Sequence, residues 1–545
     1  MRSRARRLTP PLALVLGLAL PAFGQTPITI IHVNDTHSHV DSFGPRDAQL
    51  EGTIGGLERA ATVIGTLRAT EKNPLFLHAG DAFHGDFFFN AYFDVPELAI
   101  LKQLGVDAMT VGNHEFDLTP MALIGALNTV APIAKGGTFP MISANLDYKA
   151  CPGPTEQQPV TCALLPYWIK PGLVKDVGGV KVGIFGLTTP SDPTMQPKPV
   201  VVQGDVAARA QVAVKSLQDQ GAQVVVFLSH LGLAADREVV AKVAGIDVVV
   251  QGHDHALYTQ PLVLDGPSGR KVPAVSAGDH YLNVGRLRLE YQDGSGVTVK
   301  EWDVLPVDET VPPAPALAAQ VESLKQGIVA KYGDVYQTVV GYAPWPVPKR
   351  YDPDHAVRDT AMGNLITDAL RFRTRTQIAL TVTGLVSEGL YQGPIVGADV
   401  FRPVSYGYDP ATGLGFKIAT MDITGAELLK GMEICLMNVT AGDTYDLQFS
   451  GLTYRYDSTK PLFERIVPGS VYVRGRRIDP KRTYSLTVNE GIAVLLPSMG
   501  VTFTNLEMRQ DFEYLALRDY VARLHLVLYT SQGRICDVAV RRCLF

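Results

Sequence analysis

The sequence predicts a layered α/β fold in two domains. Three observations carry that expectation. The chain has 545 residues, more than a single hydrophobic core usually organises. Short β-branched runs alternate with helix-spaced apolar residues over its first three hundred positions, the pattern of a layered α/β domain. A proline cluster, Pro306, Pro312, Pro313 and Pro315, then interrupts the alternation before it begins afresh near residue 335.

The strand-like runs are Ile28–Val33, Leu75–Leu77, Ala108–Val111, Lys181–Gly186, Val224–Leu228, Val248–Val250 and Arg286–Glu290. Between them, Leu57, Ala60, Ala61, Ile64 and Leu67 recur at helical spacing, as do Leu98, Leu101 and Leu104. Val206, Ala210, Val214 and Leu217 do so less cleanly. Leu317–Tyr332 reads as one helix joining the two domains.

Five of these strands run into polar residues of one chemical type. The ends are Asp35-Thr36-His37, Gly80-Asp81, Gly112-Asn113-His114-Glu115-Phe116-Asp117, Ser229-His230 and Gly252-His253-Asp254-His255. Taken singly, an Asp-x-His or a Gly-Asp is ordinary turn chemistry, and a strand-end histidine is commonly bonded to backbone. Together they place carboxylates, imidazoles and one amide oxygen at the carboxyl ends of neighbouring strands, where layered α/β sheets build their sites. Oxygen and imidazole donors without thiolates suit Mn, Zn, Fe, Co or Mg.

This set resembles the calcineurin-like metallophosphoesterases. The openings His32-Val33-Asn34-Asp35-Thr36-His37 and Gly112-Asn113-His114-Glu115-Phe116-Asp117 are similar to the secreted 5′-nucleotidase branch. The resemblance implies a four-layer α/β/β/α catalytic domain over 25–306, a linker with a connecting helix over 307–335, and an α+β substrate-binding domain over 336–545. It implies two divalent metal ions, one held by Asp35, His37, Asp81 and His255 and the other by Asp81, Asn113, His230 and His253. His114 would stand beside them as an imidazolium stabilising charge on the phosphoryl and leaving oxygens, oriented by Asp117. In that family the two domains rotate against each other, which would place a hinge in 304–335.

The second domain carries the resemblance more loosely. Arg358-Asp359-Thr360-Ala361-Met362-Gly363-Asn364 is similar to the opening helix of the 5′-nucleotidase C-terminal domain, and the stretches 451–456 and 482–489 to later strands. Val382-Thr383-Gly384-Leu385-Val386-Ser387-Glu388-Gly389 lacks the Asn and Arg of the family's Asn-Gly-Gly-Gly-Ile-Arg loop. Ser405-Tyr406-Gly407-Tyr408 replaces Pro-Phe-Gly-Asn, so Tyr406 is the expected stacking partner for a base. Residues 497–503 lie where a Gly-Gly-Asp-Gly motif would stand. Arg358 offers a fork for a substrate phosphate or carboxylate, or a pairing within its own helix.

At the amino end, Arg2, Arg4, Arg6 and Arg7 precede the apolar stretch Leu12–Leu20 and a small-x-small site at Ala22-Phe23-Gly24, the pattern of a cleavable signal peptide over 1–24. A periplasmic or secreted protein is therefore expected, without membrane attachment after cleavage. Five cysteines fit an oxidising compartment, with Cys151–Cys162 and Cys536–Cys543 as local disulfides and Cys435 buried on an amphipathic helix. A net charge of −5 gives no polyanion-binding surface, so no nucleic-acid polymer is expected as a partner. The resulting expectation is an exported phosphohydrolase, monomeric or weakly dimeric, acting on nucleoside 5′-phosphates and related nucleotides. The alternatives are a UDP-sugar or cyclic-nucleotide hydrolase, a non-nucleotide phosphoesterase, or a non-catalytic binding protein.

Overall fold

The computed structural model describes residues 25–540, apart from 191, 193, 194, 353 and 438–444. The expected signal peptide at 1–24 lies outside the described residues, as does Cys543.

Two sheets face each other in the N-terminal domain. The first has seven strands, in the order 296–306, 283–292, 26–33, 74–78, 108–110, 141–142 and 169–170. The second has six, in the order 262–265, 271–275, 248–251, 224–230, 180–188 and 172–177. Their inner strands pair in parallel, Thr29–Val33 against Pro74–His78 in one sheet and Val182–Thr188 against Val224–His230 in the other.

Alternation along these strands explains the layering. Ile28, Ile30, Leu75, Leu77, Val224, Val226, Leu228, Val248 and Val250 fill the space between the sheets. Their neighbours Ile31, Val33 and Phe76 point outward onto helices that include Leu57–Thr70 and Val95–Gln103. Val225, Phe227 and Val249 point the opposite way, onto helices Val206–Asp219 and Leu233–Lys242. Strands buried on both faces read as continuous apolar runs, which is why they were visible in sequence. The four layers are helix, sheet, sheet, helix.

Strand Gly296–Pro306 ends at the proline cluster, and the connecting helix runs Pro315–Tyr332 with its proline in the first turn. The C-terminal domain is built on a five-stranded sheet, in the order 447–450, 378–382, 483–489, 417–424 and 504–512. Its opening helix, Ala361–Thr374, is capped by the Thr360 hydroxyl accepting from the Gly363 N–H. Helix Gly425–Leu436 carries Cys435, a free thiol as expected but half-buried rather than buried, because it lines a gap beneath the helix. Cys151 and Cys162 are bonded, and Cys536 is disulfide-bonded as well.

The two domains meet over a mixed surface. Phe87 stacks on Phe401 at 3.9 Å between centroids. Arg402, 2% exposed, reaches Asp86 at 2.7 Å and Asp399 at 3.0 Å, and Asp399 also takes a fork from Arg46.

Candidate metal centre

Each expected ligand follows a strand end. Asp35 and His37 follow Thr26–Val33, Asp81 follows Pro74–His78, and Asn113 follows Ala108–Thr110. His230 closes Val224–His230, and His253 and His255 follow Val248–Gln251. The first four belong to one sheet and the last three to the other, so the group gathers over the seam between the sheets.

The backbone bends sharply to bring them together. Asp35, His37, Asp81, His253 and His255 all have φ between 50° and 80°, a region that costs a non-glycine residue roughly 1–3 kcal/mol. Such strain concentrated on five polar residues marks a functional site rather than a packing solution. Gly112 is required by proximity, since a Cβ there would lie 2.0 Å from Asp81 Oδ1. Glu115 ties two of the ligand loops, its carboxylate accepting from the N–H groups of Gly112 at 2.5 Å, Ala82 at 2.8 Å and Asp81 at 3.2 Å.

Among the clusters of ligand atoms, two hold the expected ligands, Asp35 with His37 and His255, and Asp81 with His230 and His253, while a third joins His37 and Asp81 to His114. In the first, His37 Nε2 and His255 Nε2 stand 3.1 Å apart, with His255 Nε2 3.9 Å from Asp35 Oδ1. In the second, His230 Nε2 lies 2.9 Å from Asp81 Oδ2, and Asn113 Oδ1 lies 3.2 Å from His230 Nε2 and 3.0 Å from His253 Nδ1. His230 Nε2 is also 4.0 Å from Asp35 Oδ1, so the clusters adjoin. The opposite ring nitrogens are committed. His37 Nδ1 donates to the Phe83 carbonyl, His230 Nδ1 to the Ala79 carbonyl and His255 Nδ1 to Asp279. Each Nε2 lone pair is thereby aimed inward.

Buried charges of this kind call for a cation. Burial pushes Asp35 up to about 6 despite the pull of His255 and His230. Burial would lower His230, but Asp81 and Asp35 outweigh it and push that imidazole up to about 10. The cluster by itself therefore holds protons between its carboxylates and rings. A divalent ion binds deprotonated ligands and displaces such protons, so the donor set fits metal binding.

His114 stands at the edge of this group, edge-on to His37 at 5.1 Å. Its Nδ1 donates to Asp117 Oδ2 at 2.5 Å, and its backbone N–H to Asp81 Oδ1 at 3.0 Å. Burial would lower the imidazole, yet the carboxylates of Asp117 and Asp81 push it up to about 10. On its other side the ring of Tyr406, from the C-terminal domain, stacks at 5.0 Å and 12°. Nine of the residues expected from sequence are thus brought to one place, with Tyr406 beside them.

Arg358 is not among the residues around His114. Its guanidinium lies over the Tyr351 ring at 4.7 Å, and its backbone N–H bonds Ile535 O. The structure also adds residues that sequence reasoning missed. Asp279 holds the His255 ring at 3.0 Å, and although burial opposes its charge, His280 and His255 hold it well below the usual carboxylate range. His84 lies 3.6 Å from Asp117, buried against Phe89. Gly278-Asp279-His280 follows strand Lys271–Val275 closely, repeating the strand-end pattern of the ligand segments, and that repetition was the available signal.

Comparison with known proteins agrees with this arrangement. Residues 28–257 match the calcineurin-like phosphoesterase family, and residues 339–494 match the 5′-nucleotidase C-terminal domain. The trifunctional nucleotide phosphoesterase protein YfkN of Bacillus subtilis is 29% identical over 95% of this chain, which spans only 35% of that longer protein. A 5′-nucleotidase of Diplobatis ommata is 27% identical over 97% of this chain and 92% of its own length. The crystal structure of a 5′-nucleotidase precursor from Thermus thermophilus superposes with a TM-score of 0.78 at 28% identity, covering 94% of this chain and 99% of that one. With both domains matched in order and the ligand clusters in place, this chain belongs to the 5′-nucleotidase branch of the calcineurin-like phosphoesterases, a family of metal-dependent phosphoester hydrolases.

Proposed function

We propose that this chain is an exported phosphohydrolase that cleaves phosphate monoesters at a pair of divalent metal ions, with nucleoside 5′-phosphates and related nucleotides as its first substrate class. The observation that carries the reading is the pair of adjoining clusters, Asp35/His37/His255 and Asp81/His230/His253, with His114 at their edge. Asp81 reaches His230 through Oδ2 and the His114 N–H through Oδ1, so its carboxylate stands between the second cluster and the catalytic histidine. Asn113 adds a neutral oxygen to the second cluster. The names of the relatives supply the nucleotide.

A metal pair held by these residues would supply an acidified water and would neutralise charge on the phosphoryl oxygens. The protein's own groups do the rest. Asp117 accepts the His114 Nδ1–H and fixes the ring, so that a protonated His114 would present Nε2–H to the reacting ester. Charge accumulating on the leaving oxygen then meets a positioned N–H donor. Tyr406 covers the opposite ring face and excludes water from it.

Export is supported by the basic, then apolar, then small-residue order of 1–24 and by the Cys151–Cys162 disulfide. The test is phosphate release by the mature protein reconstituted with manganese, zinc or cobalt, offered AMP, ATP, UDP-glucose, a cyclic nucleotide and p-nitrophenyl phosphate, with His114→Ala as control. Turnover of AMP that collapses in the variant supports the proposal. Hydrolysis of the generic ester alone would remove the nucleotide and keep the phosphoryl chemistry, and no hydrolysis with any metal would overturn the reading.

A further inference from the structure

Behind Tyr406, the C-terminal domain encloses a cavity of about 360 Å³ between its five-stranded sheet and the helices Gly425–Leu436 and Glu490–Leu495. That volume is within the range of small-molecule sites. Leu380, Ile423, Leu428, Met432, Leu447 and Leu486 form much of the wall. Tyr406 lines it too, and among the described residues the N-terminal domain contributes only His114 and Asp192. The cavity therefore begins where the phosphoryl chemistry ends.

Its interior suits an apolar group, so a nucleoside leaving group would stay at the mouth beside His114 and Tyr406 rather than enter it. Among the described wall residues there is no Arg, Lys, Asn or Gln side chain, and the charged groups besides His114 are the acids Asp192 and Glu427. A sugar or a base carried into the interior would lose hydrogen bonds to water with few partners to replace them. A second phosphate would meet no cation. An alkyl chain or plain aromatic ring would lose nothing and gain burial. All three stretches in which the sequence departs from the family pattern face this space, through Val382, Gly384 and Leu385, through Tyr406, and through Ser498, Met499 and Val501.

We propose that the cavity receives the apolar leaving group of an amphiphilic phosphate monoester, a medium-chain alkyl or aryl phosphate, which extends the substrates beyond nucleotides. The proposal rests on the reading of the metal ligands and His114 as a phosphoryl-transfer centre. With the phosphoryl group at the ligand clusters, the ester oxygen lies beside His114 and the chain passes Tyr406 into the cavity. The bond between phosphorus and the ester oxygen breaks and water supplies the new oxygen on phosphorus; of the two water protons, the net balance puts one on the alcohol oxygen and leaves the other on the phosphate. The products are one inorganic phosphate and one alcohol.

The test uses the full mature chain reconstituted with metal. Initial rates are measured with ethyl, butyl, hexyl and octyl phosphate and with AMP, and calorimetry gives the affinities of ethyl- and octylphosphonate, which are not hydrolysed. Each buried methylene contributes about 0.8 kcal/mol, close to a fourfold effect. The expected result is a kcat/KM that rises about three- to fourfold per methylene until the cavity is full, with octylphosphonate bound at least about a hundredfold more tightly than ethylphosphonate. In Val382→Phe, which fills part of the cavity, the octyl-to-ethyl ratio of kcat/KM should fall at least about tenfold. The phosphonate series needs no variant, so it decides the matter even where V382F does not fold. Affinities and rates independent of chain length, with AMP still hydrolysed, would overturn the cavity's role and leave the phosphohydrolase standing. Tight octylphosphonate binding without hydrolysis of any ester would overturn the phosphoryl-transfer reading and the leaving-group role with it.

Discussion

The phenol ring of Tyr406 lies parallel to the imidazole of His114, 5.0 Å between centroids and 12° between planes. One ring comes from each domain, so this stack is where the C-terminal domain touches the proposed catalytic group. If the ring face is what matters, Tyr406→Phe keeps kcat/KM within about threefold of the parent. Tyr406→Ala opens the His114 face to water and removes a stacking contact worth about 1 kcal/mol, so kcat/KM should fall about tenfold. Equal losses in the two variants would assign the role to the hydroxyl instead.

His114→Ala removes the donor beside the ester without removing any metal ligand. General acid and electrostatic assistance of this kind contributes about 10²–10⁴-fold, so kcat should fall within that range. Metal content measured by elemental analysis should be unchanged. A variant that loses metal and activity together would make His114 part of the ligand set.

The ligand segments were legible in sequence because metal binding demands particular residue types, and because buried parallel strands present them at predictable ends. Asp35, Asp81, Asn113, His230 and His253 all follow that logic. The four layers were legible for a related reason, since Val224–Leu228 and Val248–Val250 are apolar on both faces. Asp279 escaped because its Gly-Asp-His, although it follows a strand as the ligand segments do, reads as a turn until a histidine ring is seen against the carboxylate. Arg402 escaped because arginine reads as surface, and only the meeting of two domains buries it between Asp86 and Asp399. Arg358 was offered a substrate anion or a pairing within its own helix because a guanidinium fork suits both, whereas its packing on Tyr351 depends on the distant fold. The cavity had no local signal, being a gap between side chains from several separate elements.

Asp279 should matter for metal retention. Its carboxylate fixes the His255 ring through Nδ1, and partners that orient a metal-binding histidine are typically worth about 10–100-fold in affinity. Asp279→Asn should raise the chelator sensitivity of activity by about that factor, while kcat at saturating metal stays closer to the parent. An unchanged metal titration would show that the His255 ring is held by its packing alone.

Arg402 ties the domains from a position with almost no solvent contact. Removing it leaves Asp86 without its guanidinium partner and Asp399 with Arg46 alone. Breaking a buried pair from one side typically costs about 3–5 kcal/mol. Arg402→Ala should therefore lower the unfolding free energy, measured in denaturant, by several kcal/mol. A loss below about 1 kcal/mol would mean that water replaces the guanidinium at Asp86.

Glu513 offers a pH-dependent test away from the metal ligands. It begins helix Glu513–Leu524, is 3% exposed, and accepts from Asn489 Nδ2 at 3.0 Å. Burial pushes its carboxyl up from 4.5 to about 7, with the Asn489 bond opposing the shift. Between those two values the folded chain holds a proton that the unfolded chain releases, so stability falls as pH rises from about 4.5 to 7. A gap of this size corresponds to about 3 kcal/mol at most. Glu513→Gln keeps an oxygen for Asn489 and has no proton to lose. It should raise the unfolding free energy by about 2 kcal/mol at pH 8 and leave it nearly unchanged at pH 4. A gain of equal size at both pH values would trace the effect to packing rather than to ionisation of this carboxyl.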